Sequence, residues 1–174
     1  MKKIFMLTMM LLIMVGSTCF AEINNGDLRL GDVYIWQPID DLITLYGKPL
    51  LREETPPKGE AAVFNVDGKK LLIRSTSTGE VTNLVINGRE NADWVTPRGI
   101  GLYASKKDVL EAYGDPDDRK NNLGEEGWVY WTPKEFYENH PTFISRQGFI
   151  QVFFKDDIVS EINIFKQINA KMTW

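Results

Sequence analysis

The sequence predicts an α+β protein made of two tandem repeats, each a short helical segment followed by a three- to four-stranded antiparallel β-meander. Three observations predict this fold. Two parts of the chain resemble each other at a fixed spacing, each part begins with a bounded helix, and each continues in segments of alternating polarity. Strands that follow a helix in runs, without the regular alternation of βαβ units, are typical of the α+β class.

The internal repeat is visible when residues 36–49 are set beside residues 103–116. A constant shift of 67 residues aligns an aspartate, an apolar stripe and a final Tyr-Gly-x-Pro in both segments. Self-similarity at a fixed period is the signature of a repeated structural unit. The later strands align only at a shift of 78, so the second copy carries about eleven extra residues, which fit the stretch from Thr132 to Gln147.

Each copy begins with a helix whose ends are marked in the sequence. In the second copy Ser105 suits the N-cap and Asp108 follows three residues later, as in a capping box. In the first copy Pro38 suits the first helical position. Both helices are expected to end at Tyr-Gly-x-Pro, because the glycine adopts the left-handed conformation and the proline prevents continuation.

The rest of each copy alternates in polarity as half-buried strands do. The predicted strands are 61–66, 69–75 and 80–87 in the first copy and 127–132, 148–154 and 158–165 in the second. Asp67-Gly68 is a favoured two-residue hairpin turn between the first two strands. Alternation with a period of two predicts an antiparallel sheet that has one face on the helices and the other towards solvent.

The first 21 residues are predicted to be a signal peptide. A basic start is followed by an uncharged apolar run and by small residues that favour cleavage after Ala21. The apolar run is shorter than the roughly 20 residues that span a bilayer. The alternative is lipidation at Cys19, whose flanking Gly16 and Thr18 match a lipoprotein signal poorly. The mature chain is therefore expected to be periplasmic or extracellular, with no transmembrane segment after cleavage.

The predicted organisation is a signal peptide (1–21), repeat 1 (22–90), a connector (91–97) and repeat 2 (98–174). Cleavage leaves 153 residues with 18 basic and 24 acidic side chains, a net charge of −6, and no cysteine. A chain of this length without disulfides must be held by its hydrophobic core. Nucleic acid is not expected as a partner, because phosphate binding requires clustered lysine and arginine.

The sequence contains no catalytic or metal-binding constellation that stands out. His140 is the single histidine, and without cysteine in the mature chain neither a Cys–His pair nor a zinc site of nitrogen and sulfur ligands can form. The acidic segment 115–118 lacks the spacing of a calcium-binding loop. We therefore expect no enzyme activity, no cofactor and no metal, with a hydrolase that uses surface carboxylates as the weakest alternative.

Aromatic residues of the second copy are the candidate protein-binding residues. They are Tyr130, Trp131, Phe136, Tyr137 and Phe143. On a strand, Tyr130 and Trp131 point to opposite faces. Two interpretations are open: the set fills the core and the interface between the repeats, or part of it lies on the open sheet face as a recognition surface, since Trp and Tyr are enriched among binding hot spots.

Several short motifs resemble the β-lactamase-inhibitor-protein-like repeat superfamily, which also includes outer-membrane assembly lipoproteins. They are the segments Gly31–Pro49 and Gly99–Pro116, the strand Trp128-Val-Tyr130, and the late strands Val81-Thr-Asn-Leu84 and Val159-Ser-Glu-Ile162. The resemblance implies export and non-catalytic binding to an envelope or secreted protein, and we place that binding on the sheet faces and the 132–147 loop. The alternative is a small-ligand or cell-wall-fragment binder that uses the groove between the repeats.

Overall fold

The computed structural model describes residues 22–55, 59–122, 125–137 and 144–170. The predicted signal peptide with Cys19 and the Ala21 cleavage site, and also His140, lie outside these residues. The described chain contains two helices, α1 (Ile39–Tyr46) and α2 (Lys106–Tyr113), and eleven strands. No helix in these ranges is both long enough and apolar enough to cross a membrane.

The two helices form where their cap signals predict. At α2, Ser105 Oγ accepts a hydrogen bond from the backbone N–H of Asp108, and the Asp108 carboxylate accepts the N–H of Ser105 at 2.8 Å. Both helices end at glycines with φ of 79°, Gly47 and Gly114. Pro38 is the N-cap of α1, one position earlier than predicted, and has extended backbone.

The strands form one small and one large antiparallel sheet. The small sheet pairs β1 (Arg29–Leu30) with β2 (Val33–Tyr34). The strands of the large sheet are β3 (Leu51–Thr55), β4 (Gly59–Val66), β5 (Lys69–Ser75), β6 (Val81–Asn87), β7 (Asp118–Asn122), β8 (Glu125–Trp131), β9 (Glu135–Tyr137), β10 (Ile144–Lys155) and β11 (Ile158–Ala170). Their order is β3-β4-β5-β6-β11-β10-β8-β7, and the short β9 pairs with β10.

The prediction of an α+β protein made of two helix-plus-meander repeats is wrong. The protein is mostly β, and its two helices are only eight residues long each. The strands of both halves join in one sheet, because β6 pairs with β11 from Asn83↔Phe165 to Asn87↔Glu161. The alternation of polarity shows which side of a strand is buried, but it does not show which strand is the neighbour.

The hydrophobic core lies between one face of the large sheet and the layer formed by the helices and the N-terminal segment. We call this side of the sheet the inner face. Its core residues include Phe64, Leu71, Ile73, Leu84, Ile86, Trp128, Tyr130, Ile150, Val152, Ile162 and Ile164. The opposite layer contributes Leu28, Leu30, Ile35, Leu42 and Val109 to the same cluster. Both helices therefore cover a single face of the sheet.

Arg98 fastens the N-terminal segment to the second half of the chain. Its Nε and Nη2 donate to the two carboxylate oxygens of Asp27 at 2.9 and 2.8 Å. The same guanidinium donates to the carbonyls of Glu22 and Ala112 and lies over the ring of Tyr113, 5.1 Å from its centroid. One side chain thus connects three segments that are distant in sequence.

The two edges of the large sheet carry charge. β3 contains Arg52, Glu53 and Glu54, and β7 contains Asp118, Arg119 and Lys120. Charged side chains on edge strands oppose the pairing of another chain with the unpaired backbone groups. The edges are therefore poor places for β-strand addition, and the faces of the sheet are the surfaces to consider for binding.

Substitution of Gly148 by alanine is expected to destabilise the protein by about 1 to 3 kcal/mol. A Cβ at this position would clash with Leu28 Cδ1 and lie 3.2 Å from Ile35 Cδ1, both in the buried core. Urea denaturation measures the loss. The double variant Gly148→Ala/Leu28→Ala is the control, because removal of the clashing methyl groups should make its loss smaller than the sum of the single losses. If the losses of the two single variants simply add in the double variant, a clash between the new Cβ and Leu28 is contradicted.

Replacement of Arg98 by methionine is expected to lower the free energy of unfolding by about 3 kcal/mol, because Asp27 would be left buried without its partner. The side chains of Arg98 and Asp27 are 16% and 7% exposed. Arg52→Met is the matched control, since Arg52 makes the same two-pronged contact with Glu60 at 48% and 25% exposure. That exposed pair should contribute under about 1 kcal/mol. Equal losses in the two variants would show that burial of the Arg98 pair does not matter.

Candidate functional site

The face of the large sheet opposite to the helices is the candidate binding surface, and we call it the outer face. Strand alternation and the pairing register place on it Val63, Leu72, Arg74, Asn83, Val85, Val129, Trp131, Phe149, Gln151, Phe153, Asn163 and Phe165. None of the apolar members belongs to the hydrophobic cluster that the helices cover. The outer face is thus a second apolar surface, separate from the core.

Three aromatic rings form a row across the outer face. Trp131 on β8 is paired with Phe149 on β10, and Phe149 is paired with Phe165 on β11. The ring centroids are 4.5 Å apart in the first pair and 4.8 Å apart in the second. Aromatic pairs at such distances stabilise each other by about 0.5 to 1.5 kcal/mol. The rings therefore hold one another in place, although each is only partly buried.

The same row continues onto the other half of the sheet as Asn83 and Arg74. Phe165 is paired with Asn83 on β6, and Asn83 is paired with Arg74 on β5. The row from Arg74 to Trp131 crosses five strands, which corresponds to about 19 Å at the usual strand spacing. It has an exposed cation at one end and an indole at the other.

The sequence-predicted site residues are only partly brought together. Trp131 lies on the outer face, whereas Tyr130 is buried on the inner face, where its hydroxyl donates to the carbonyl of Gly114 at 3.2 Å. Phe136 and Tyr137 are in β9, which pairs with β10, and only their backbone is described. Phe143 lies outside the described residues.

The sequence interpretation missed Phe149 and Phe165. Both fall within predicted strands, and both alternate with apolar core residues on their strands. That alternation already assigns them to the face away from the helices. What the sequence lacks is the register of β8, β10 and β11, which turns two separate phenylalanines into neighbours of Trp131.

A small cleft adjoins the Trp131 end of the row. It has a volume of about 170 Å³ and is lined by Glu22, Ile23, Tyr113, Gly114, Asp115, Asp117, Tyr130 and Trp131. β7 begins only at Asp118, so the backbone N–H of Trp131 has no strand partner there and donates instead to the Asp117 carboxylate at 2.7 Å. The Asp117 side chain therefore closes the free edge of β8.

Two phenols form the wall of this cleft and are part of the packing. Tyr113 and Tyr130 have ring centroids 5.1 Å apart, and the Tyr113 hydroxyl donates to Thr96 Oγ1 at 2.7 Å. Burial raises the pKa of Tyr113 to about 12, and burial also raises the pKa of Tyr130. Both hydroxyls therefore stay protonated at neutral pH.

The raised pKa of Tyr113 predicts a loss of stability in alkali. In the unfolded chain this phenol loses its proton at about pH 10, whereas the folded protein keeps it to about pH 12. The contribution of the protonated Tyr113 to the free energy of unfolding is complete below about pH 10. It decreases as the pH rises towards 12, by up to about 1.4 kcal/mol for each pH unit. Urea denaturation from about pH 8 to about pH 11.5 measures the slope. The free energy of unfolding of Tyr113→Phe should decline less steeply with pH than that of the wild type. Parallel declines would show that Tyr113 is not the group responsible.

The described residues offer no metal centre. No group of three or more histidine, cysteine, aspartate or glutamate side chains within the described ranges is arranged to hold a metal ion.

Comparisons with known proteins give a likeness of fold alone. No known protein family matches the chain, and no curated protein matches it. An extracellular protein containing an SCP domain from Bacillus anthracis is similar in structure, with a TM-score of 0.51, 11% identity, and coverage of 90% of this chain and 56% of that chain. A cysteine-rich secretory protein from Staphylococcus aureus has a TM-score of 0.45, 10% identity, and coverage of 75% and 44%. The chain thus spans about half the length of these solved proteins.

These findings overturn the resemblance to β-lactamase-inhibitor-protein-like repeats. The solved protein with a TM-score of 0.51 contains an SCP domain and differs in fold from those tandem repeats, and no known family match supports the resemblance. The short Tyr-Gly-x-Pro and strand motifs behind it are explained by local structure, since they mark helix ends and strands in many folds.

Proposed function

We propose that the protein is an exported, non-catalytic module that binds another protein of the envelope or of the extracellular space through the outer face. The observation that carries the proposal is the aromatic row of Trp131, Phe149 and Phe165 on a face outside the core. Aromatic residues on a firm backbone are the usual anchors of protein interfaces. An apolar surface that is not covered by the protein's own helices is characteristic of an interaction site.

Export is supported by two independent observations. The first 21 residues have the order of a signal peptide, with a basic start, an apolar run and small residues. The solved protein with a TM-score of 0.51 is described as extracellular. Because the predicted mature chain has no cysteine, its folding after export would not depend on disulfide formation.

The cleft beside Trp131 is too small to favour small-ligand binding at that place over protein binding on the outer face. Its volume of about 170 Å³ is below the 300 to 1,000 Å³ that is usual for small-molecule sites. The lining residues come from residues 22–23 of the first half of the chain and from residues 113–131 of the second half. The aromatic row, in contrast, extends across both long strands of the hairpin β10–β11.

The segment 132–147, predicted as a loop, contains β9 and the first residues of β10, and we propose that it extends the binding surface. Thr132 follows Trp131 directly, and its backbone N–H donates to the carbonyl of Gly148, next to Phe149, at 2.9 Å. The two ends of the segment 132–147 therefore lie together beside the Trp131 end of the aromatic row. Loops in such positions commonly carry specificity.

Trp131→Ala is expected to abolish partner binding while the protein remains folded. We would immobilise the mature protein, expose it to envelope and secreted fractions of the native host, and identify retained proteins by mass spectrometry. Tyr103→Ala is the matched control, because Tyr103 is an aromatic residue that is 62% exposed outside the outer face. Circular dichroism checks that both variants are folded. The proposal predicts loss of the same partners in Trp131→Ala only, and their retention by Trp131→Ala would refute it.

A further inference from the structure

We infer that the partner presents a carboxylate to Arg74 and apolar side chains to the aromatic row beside it. This inference rests on the proposed binding role of the outer face and specifies the chemistry of the segment that it accepts. The partner is thus an acidic and apolar protein segment, as distinct from a basic one.

Arg74 is a cation on one of the central strands of the sheet. It lies on β5, the third strand from the β3 edge, and its side chain is exposed. Arg74 forms no ion pair within the described part of the chain. The carboxylate nearest to it along the same row of paired residues is Glu53 on the edge strand β3, two strands away, which corresponds to about 10 Å. The charge of Arg74 is therefore available to a partner.

Asn83, the next residue in the row, has a buried acceptor without a donor. The residue is only 4% exposed, and its side-chain Oδ1 makes no hydrogen bond within the described structure. Buried polar atoms are nearly always satisfied, so an orphaned carbonyl oxygen on a candidate interface is informative. Because this oxygen is itself buried, the amide would have to rotate before a segment bound on the outer face could donate a hydrogen bond to it.

The neighbourhood of Arg74 determines which charge a partner must bring. A segment lying on Leu72, Asn83 and Phe165 would exclude water from the guanidinium, since these residues flank Arg74 on its own strand and along its row. A lysine or arginine brought to this place would bury like charges together, which is strongly unfavourable. A carboxylate would instead form the two parallel hydrogen bonds that suit the guanidinium fork.

Other charges of the outer face do not compete for the same group. Glu161 accepts hydrogen bonds from the amides of Asn87 and Asn163. Lys120 and Asp118 lie together on the opposite edge strand, β7, where they are about half exposed. Arg74 is accordingly the cation in direct register with the aromatic row.

The test is a charge-swap experiment with displayed hexapeptide libraries. Three libraries have apolar residues at the variable positions and carry Glu, Gln or Lys at one fixed position. Wild type is expected to enrich the Glu library at least about tenfold over the Lys library, which is a modest effect for a close charge pair at an interface. Arg74→Glu should reverse this preference. Lys107→Glu makes the same change of charge on α2, where the Lys107 side chain is 82% exposed, and should leave the preference unaltered.

The outcomes separate this inference from the proposed function. The inference is overturned if enrichment does not depend on the fixed charge, or if Arg74→Glu keeps the preference for Glu. In either case, loss of binding by Trp131→Ala would still support the outer face as the docking surface. If no library is enriched, the host proteins that the wild type captures provide the test. Equal retention of these proteins by wild type and by Arg74→Glu overturns the inference. Their loss from Arg74→Glu alone supports it. If Trp131→Ala also retains those proteins, the proposed function fails as well.

Discussion

The pairing of β6 with β11 is the constraint on which the rest of the structure depends. These five residue pairs are where the strands of the first half meet those of the second, and they turn two groups of strands into one sheet. The row from Arg74 to Trp131 exists only because Asn83 and Phe165 are partners in this pairing. Without it, the cation and the aromatic rings would belong to separate surfaces, and neither surface alone would combine charge with apolar area.

The inner face gives the outer face its rigidity. Each aromatic residue of the row alternates along its strand with buried core residues. Packing on the inner face therefore holds the strands that carry the rings in place. At the Trp131 end, the hydroxyl of Tyr130 donates to the carbonyl of Gly114, and the hydroxyl of Tyr113 donates to Thr96. Arg98 holds the N-terminal segment against α2, the helix that contains Tyr113. A binding surface built on strands that are locked by packing is held more precisely than one built on loops. Binding should then cost little conformational entropy at the row itself.

The parts of the structure that depend on neighbouring residues could be predicted, and those that depend on distant residues could not. The capping box of Ser105 and Asp108 and the Asp67-Gly68 turn are local, and both form as expected. The opposite orientation of Tyr130 and Trp131 follows from strand geometry alone. Register, in contrast, makes Trp131 a neighbour of Phe149, 18 positions later in the chain, and brings Phe165 beside Phe149. The Arg98–Asp27 pair joins residues 71 positions apart. The fold class was wrong for the same reason, because polarity patterns do not specify which strand pairs with which.

The charged edge strands have a consequence for the protein at high concentration. A face with partly exposed aromatic rings would ordinarily make a β-rich protein prone to fibril formation, since stacked chains can extend a sheet indefinitely by backbone pairing. Here the mixed charges of β3 and β7 obstruct that growth at both ends of the sheet, while the rings remain available on its surface. The protein can therefore present these rings on its outer face and still resist polymerisation, because contacts on the face and extension of the sheet run in perpendicular directions.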